Sequence, residues 1–148
     1  CALRLAQRLL DPVPAGNCKL QTLRQYYLLP TRGAHTATGD VANLADLLQQ
    51  VLRPLAEARQ LTTWAALLAF ADATWYPSRL AFGKYQGRAV REARHDPDFY
   101  AWLKWLAGSS NPRSAAMGRW YLEDLQAPDA ARPPEPATLV VASAANAA

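Results

Sequence analysis

The residues best suited to chemistry are a histidine and an aspartate that lie close together in the chain. His35 and Asp40 are five positions apart, in the run from Gly33 to Val41. An imidazole that accepts a proton from water, beside a carboxylate that holds a divalent cation, is a sensible fragment of a site for phosphodiester hydrolysis. The same spacing occurs where an aspartate begins a helix, so an ordinary N-terminal helix cap is the alternative interpretation.

A second set of candidate residues lies in a basic stretch further along the chain. From Arg79 to Arg119 there are eight basic residues and three acidic ones. Lys84, Tyr85 and Arg88 lie among glycines, and cationic and aromatic side chains in such a loop suit contacts with the phosphates and bases of nucleic acids. The alternative is that the basic residues form only a solvated surface and that nearby large apolar residues form a small core. The predicted members of that core are Phe82, Phe99, Trp102, Leu103 and Trp120.

The composition limits the class of protein. A chain of 148 residues that is 51% hydrophobic can form a real core. Its net charge of +4 agrees with a nucleic-acid partner without requiring one. Cys1 and Cys18 have neither metal-ligand spacing nor a disulfide framework, which predicts a reducing, cytoplasmic location. No apolar run approaches the roughly 20 residues of a membrane span, so no membrane partner is expected.

The elements that position these residues are predicted to be mainly helices. Apolar residues recur at intervals of three and four over 3–10, 19–28, 40–55 and 62–73. Asp40 falls at the start of the third of these helices, which Pro54 should kink or end. Leu80–Phe82 and Arg88–Val90 are predicted to form two short strands of a hairpin. Two further helices are expected, one capped by Asp96 and one from about Pro112 to Leu125.

A resemblance to a known family enters with the second half of the chain. The run from Phe82 to Val90, followed by Asp96-Pro97 and then by Tyr100 to Leu103, resembles the small C-terminal module of bacterial exodeoxyribonuclease X. The run from Cys1 to Leu9 is similar to the helix after the second motif of the DEDDh exonucleases. His35 and Asp40 resemble the third motif, and the likeness extends from Cys1 to Leu125.

The resemblance implies a fold and a division of the chain. The parent fold would be the α/β, RNase H-like exonuclease fold, of which this chain supplies a mostly α-helical part and then a small α+β module with a β-hairpin and two helices. Residues 1–58 would be the C-terminal part of the exonuclease domain, 59–78 a helical connector and 79–126 the small module. The Pro- and Ala-rich residues 127–148 are predicted to be a disordered tail.

The resemblance also implies an activity, the removal of nucleotides from the 3′ ends of DNA, in DNA repair. His35 would be the general base, and Asp40 the last of four carboxylates that hold two Mg²⁺ or Mn²⁺ ions. The other three carboxylates would precede Cys1, so we expect that a preceding segment is missing and that the chain alone is inactive. The small module would hold the DNA through Lys84, Tyr85 and Arg88.

Other functions remain open at this point. The His35 and Asp40 spacing fits equally a proofreading exonuclease like the epsilon subunit of DNA polymerase III, or an RNA-trimming exonuclease. A different class of function is a non-catalytic nucleic-acid-binding module, in which the downstream residues act alone.

Overall fold

The computed structural model of the chain describes residues 1–33 and 36–128 and is mostly helical. The chain divides into two compact units, the first comprising Cys1–Ala73 and the second beginning at Thr74. The α-helices are α1 (Ala2–Leu9), α2 (Leu20–Tyr26), α3 (Ala37–Leu47), α4 (Arg53–Ala58), α5 (Trp64–Asp72), α6 (Pro97–Ala107) and α7 (Pro112–Gln126). A π-helical segment, Leu48–Leu52, joins α3 to α4, and a short 3-10 helix, Val90–Arg94, precedes α6. No helix among the described residues is long and apolar enough to cross a membrane.

The prediction of an α/β fold with a β-hairpin module was wrong. The described ranges contain one isolated bridge, between Arg79 and Ala89, and no strand or sheet. The chain does reverse direction here, because the backbone N–H groups of Leu80 and Gly87 donate to the carbonyl groups of Arg88 and Leu80 at 3.0 and 2.7 Å. A third backbone bond, from the N–H of Val90 to the carbonyl of Ser78 at 2.9 Å, extends this pairing, but the paired residues form no strand.

The loop replaces a hairpin for a reason that is visible in its buried side chains. Leu80, Tyr85 and Val90 point into the core at intervals of five residues, whereas a half-buried strand requires an interval of two. Val90 then begins the 3-10 helix instead of continuing a strand. In the first unit the apolar residues recur with the helical period, so they form amphipathic helices and supply no strand for the expected RNase H-like sheet.

The first unit packs its helices around an aliphatic core. The four predicted helices are confirmed, with ends that differ by a few residues. Thr36 and Thr63 cap α3 and α5 by accepting hydrogen bonds from the backbone N–H groups of Gly39 and Ala66. The buried residues are Ala6, Leu9, Leu10, Leu23, Leu29, Leu47, Val51, Leu52, Leu55 and Ala56.

Pro54 shapes the long helix of the first unit without ending it. A proline has no N–H to donate, and its ring collides with the carbonyl group four residues earlier. The helix widens just before it, and the N–H of Arg53 donates to the carbonyl of Leu48, five residues back. This wider turn keeps Val51, Leu52 and Leu55 in the core, each at most 1% exposed.

The second unit is built on the packing of α6 against α7. Asp96 caps α6 by accepting from the N–H of Phe99, and Asn111 caps α7, so both predicted helix starts are confirmed. Gly118 lets the two helices approach closely, because a Cβ atom there would overlap the backbone of Ala107. The buried core residues are Leu80, Tyr85, Val90, Ala93, Phe99, Leu103, Tyr121 and Leu125.

Candidate functional site

Asp40 lies in the first turn of α3, and its side chain is exposed. The backbone around it is held firmly, since its N–H donates to the carbonyl of Thr36 at 2.9 Å and the Thr36 hydroxyl donates to the carbonyl of Gly33 at 2.8 Å. Gly39 allows the preceding segment to lie close against α3, because a Cβ atom there would overlap the carbonyl groups of Arg32 and Gly33. Asp40 is therefore an exposed carboxylate on a rigid element.

Polar side chains on the inner side of α3 fix the segment that leads into it. Asn43 is 1% exposed, and its Oδ1 accepts from the N–H of Arg32 at 3.3 Å. The Nε of Arg32 donates to Oδ2 of Asp46 at 2.7 Å. Asp46 therefore forms a structural ion pair with Arg32. Asp40, the other carboxylate of α3, forms no ion pair with a described residue.

The expected general base, His35, lies outside the described residues, as does the expected tail from residue 129 onward. Within 1–33 and 36–128 no group of three or more His, Cys, Asp or Glu side chains could hold a metal ion. Mg²⁺ demands an octahedral set of oxygen ligands, of which Asp40 can supply one carboxylate. Asp40 suits the ion chemically, but the described residues do not complete a magnesium site.

Tyr85, the predicted base-stacking residue of the second unit, is buried. It is 7% exposed, and its ring stacks on that of Phe99 with centroids 4.3 Å apart and an angle of 14° between the planes. Lys84 is exposed and holds its Nζ 5.1 Å from the centroid of the Tyr85 ring. The structure therefore brings Lys84 and Tyr85 together in a cation–π contact.

Arg88 lies over the stacked rings of Tyr85 and Phe99 and is bound by two carboxylates. Its Nε donates to Glu92 at 2.8 Å and its Nη1 to Asp96 at 3.0 Å, while Cζ lies 5.0 Å from the centroid of Phe99. The bond from Arg88 lowers the pKa of Glu92. The pKa of Asp96 is lowered first by the N–H of Phe99 and then by Arg88. A phosphate at Arg88 would have to compete with both carboxylates.

The sequence interpretation missed three aromatic side chains at the surface of the second unit. Phe82 and Trp102 were expected in the core, yet Phe82 is 38% exposed and Trp102 is only partly buried. Trp105 is 66% exposed. A helical projection of α6 would have found it, because Trp105 lies roughly 100° away from the stripe of buried residues that includes Leu106.

The chain matches no model of a protein family, no curated protein and no solved structure. The resemblance to the exodeoxyribonucleases therefore rests on two sequence patterns alone. These are the His35 and Asp40 spacing in the first unit and the run from Phe82 to Leu103 in the second.

Proposed function

We propose that this chain is part of a metal-dependent 3′–5′ DNA exonuclease that acts in the cytoplasm in DNA repair. The observation that carries the proposal is the order of two patterns on one chain, His35 with Asp40 and then the run from Phe82 to Leu103. The position of Asp40 supports it, since an exposed carboxylate on a rigid helical turn is suited to binding a metal ion.

In this proposal the two residues have different tasks. Asp40 offers carboxylate oxygens to one divalent cation, Mg²⁺ or Mn²⁺. Such a cation supplies positive charge that stabilises the attacking and leaving oxygens of the phosphodiester. His35 accepts the proton of the attacking water, a task that the free ring nitrogen of a neutral imidazole can perform. Lys84 contacts a phosphate of the DNA strand.

The proposal includes metal ligands from outside the described residues. Those residues form no group of three or more His, Cys, Asp or Glu side chains that could hold a metal ion, so in this proposal other parts of the parent polypeptide supply the remaining ligands. The chain alone is then expected to have no nuclease activity, whatever the concentration of Mg²⁺ or Mn²⁺.

The test uses the polypeptide encoded by the complete reading frame that contains this chain. A 5′-labelled single-stranded oligonucleotide is incubated with Mn²⁺, and its shortening from the 3′ end is followed on a gel. His35→Ala and Asp40→Asn are each expected to lower kcat by roughly 10²- to 10⁴-fold. Asp98→Asn is the matched control, because Asp98 is an exposed carboxylate in the first turn of α6. Activity that survives both changes, or that the control abolishes equally, would overturn the proposal.

A second candidate function, binding of nucleic acid without cleavage, is favoured by one observation. Lys84 is exposed and makes no ion pair with any described residue, so its charge is available to a phosphate. If the parent polypeptide binds a single strand but leaves it intact under all metal conditions, this second function is supported and the exonuclease is not.

A further inference from the structure

Phe82, Trp102 and Trp105 form a continuous row of aromatic rings at the surface of the second unit, here called the aromatic strip. The ring centroids of Phe82 and Trp102 are 6.4 Å apart, and those of Trp102 and Trp105 are 6.2 Å apart. The outer members, Phe82 and Trp105, are 38% and 66% exposed. Large aromatic surfaces of this kind are costly to leave in water, so their grouping indicates a ligand.

The central ring of the aromatic strip, Trp102, packs against Gly83 and Tyr85. Gly83 has a φ of +82°, and a Cβ atom at that position would lie 2.7 Å from Cζ2 of Trp102, so only a glycine allows this close approach. The ring of Tyr85 meets Trp102 edge to face, with centroids 5.7 Å apart. Trp102 is thereby fixed in orientation before any ligand binds, which lowers the entropic cost of binding.

One exposed lysine lies beside the aromatic strip. Lys84 holds its Nζ 5.1 Å from the centroid of Tyr85, the ring that touches Trp102. It forms no ion pair with a residue that the structure describes. Lys104 lies on the opposite side of α6 from Trp102, because two residues along an α-helix correspond to a rotation of about 200°, and its Nζ lies 5.3 Å from the centroid of Tyr100. Asp98, one turn before Trp102 on α6, is the acidic residue at one end of this face.

We propose that the aromatic strip stacks the bases of single-stranded DNA while Lys84 contacts its phosphates. Rows of aromatic rings with cations alongside are how proteins hold single strands without sequence preference. The unpaired Lys84 favours this ligand over another protein, because lysine is depleted in protein–protein interfaces. The choice of DNA as the ligand rests on the function proposed above, whereas the stacking itself does not involve Asp40 or a metal.

The test measures binding of a fluorescein-labelled oligothymidylate to the full 148-residue chain by fluorescence anisotropy in the presence of EDTA. Trp105→Ala is expected to raise Kd roughly five- to a hundredfold. Trp105→Phe should restore part of the affinity because it restores a ring. Trp64→Ala is the matched control: Trp64 is 81% exposed but belongs to the first unit, so Kd should not change.

The dependence on salt separates stacking from phosphate contact. Trp105→Ala should leave the slope of log Kd against log salt unchanged. Lys84→Ala should reduce that slope by about 0.7, the value for one phosphate contact with a single strand. Lys104→Ala removes an exposed lysine from the opposite side of α6 and should leave the slope unchanged. A Trp105→Ala variant that binds as tightly as the unaltered chain would overturn the proposal, as would an equal loss in Trp64→Ala.

Two further measurements identify other ligands. If an oligouridylate binds and the DNA does not, the strip is specific for RNA and the proposal for DNA is wrong. If sedimentation shows a dimer that Trp105→Ala abolishes, and neither oligonucleotide binds, the strip is an interface between two copies of the chain. Because EDTA removes the cations, failure of this test leaves the exonuclease assay unaffected, and failure of that assay leaves this one unaffected.

Discussion

Tyr27 of the first unit and Tyr121 of the second both place a phenol hydroxyl in the interior, but only one of the two hydroxyls is satisfied. The hydroxyl of Tyr121 donates to the carbonyl of Pro77 at 2.8 Å. The hydroxyl of Tyr27 is buried and has no hydrogen-bond partner among the described residues, and the same holds for Nδ2 of Asn43, also in the first unit. Buried polar groups normally have partners, so the second unit meets the usual requirement and the first does not.

The two units also differ in what they leave at the surface. Six of the eight large apolar side chains that are exposed in the described parts of the chain belong to the first unit: Leu3, Tyr26, Leu28, Val41, Trp64 and Leu68. The other two, Phe82 and Trp105, belong to the second unit and are neighbours of Trp102 in the aromatic strip. In the second unit, ring contacts through Trp102 join the two exposed side chains into one surface, which is the arrangement from which a ligand can be inferred.

The largest expected effect concerns the aromatic core that distinguishes the second unit. Phe99 is completely buried and stacks on Tyr85, so Phe99→Ala should lower the free energy of unfolding by about 3–5 kcal/mol. Phe70→Ala is the matched change in the first unit, where Phe70 is only partly buried, and it should cost less. Urea unfolding followed by circular dichroism, with hydrogen exchange to locate the loss, checks both. Equal losses would remove this difference between the units.

The parts of the fold that could be predicted from the sequence are those set by local signals. The starts of α6 and α7 were predicted correctly because Asp96-Pro97 and Asn111-Pro112 are local signals that need no distant partner. The placement of Asp40 at the start of a helix is local in the same sense and is confirmed. The predicted hairpin failed because Tyr85 is drawn inward by Phe99, a contact between residues far apart in the chain.

The candidate site could be predicted only in part, for a related reason. The spacing of His35 and Asp40 identifies residue types, but the partners that would complete a metal site are not among the described residues. In the second unit, the residue types at 84, 85 and 88 were identified, but not the burial of Tyr85 or the engagement of Arg88 by Glu92 and Asp96. Burial depends on tertiary contacts, which periodicity does not report when apolar residues lie on more than one face.

The next expected effect tests the charged contacts of the second unit through their pH dependence. Asp96 accepts from the N–H of Phe99 and from Arg88, which lowers its pKa from an ordinary value of 3.8. A lowered pKa means that the ionised carboxylate stabilises the folded state above that ordinary value, and that the stability is lost as the pH falls through the lowered value. Asp96→Asn keeps a helix cap but removes the charge. The variant should be less stable at pH 7 and should lose less stability between roughly pH 5 and pH 2.

Asp98→Asn serves as the comparison for that acid titration, because Asp98 lies in the same helical turn without an ion pair to Arg88. Thermal unfolding measured at several pH values should show the unaltered acid dependence in this variant. If Asp96→Asn also shows the acid dependence of the unaltered chain, the bond between Arg88 and Asp96 does not contribute to the stability of the second unit.

The smallest expected effect is the change in stability when either buried tyrosine loses its hydroxyl, and its sign should differ between the two units. Tyr27→Phe removes a hydroxyl without a partner among the described residues, so stability should stay the same or rise by up to about 1 kcal/mol, whereas Tyr121→Phe should cost about 1 kcal/mol.

Burial, with smaller contributions from Tyr26 and Cys18, raises the pKa of Tyr27 to about 12. Because the unfolded chain ionises Tyr27 near pH 10, the unaltered protein should lose stability from pH 10 to about pH 12, and Tyr27→Phe should lose less. Urea unfolding at pH 7 and pH 11 measures both effects, and a destabilised Tyr27→Phe variant would show that this hydroxyl has a partner after all.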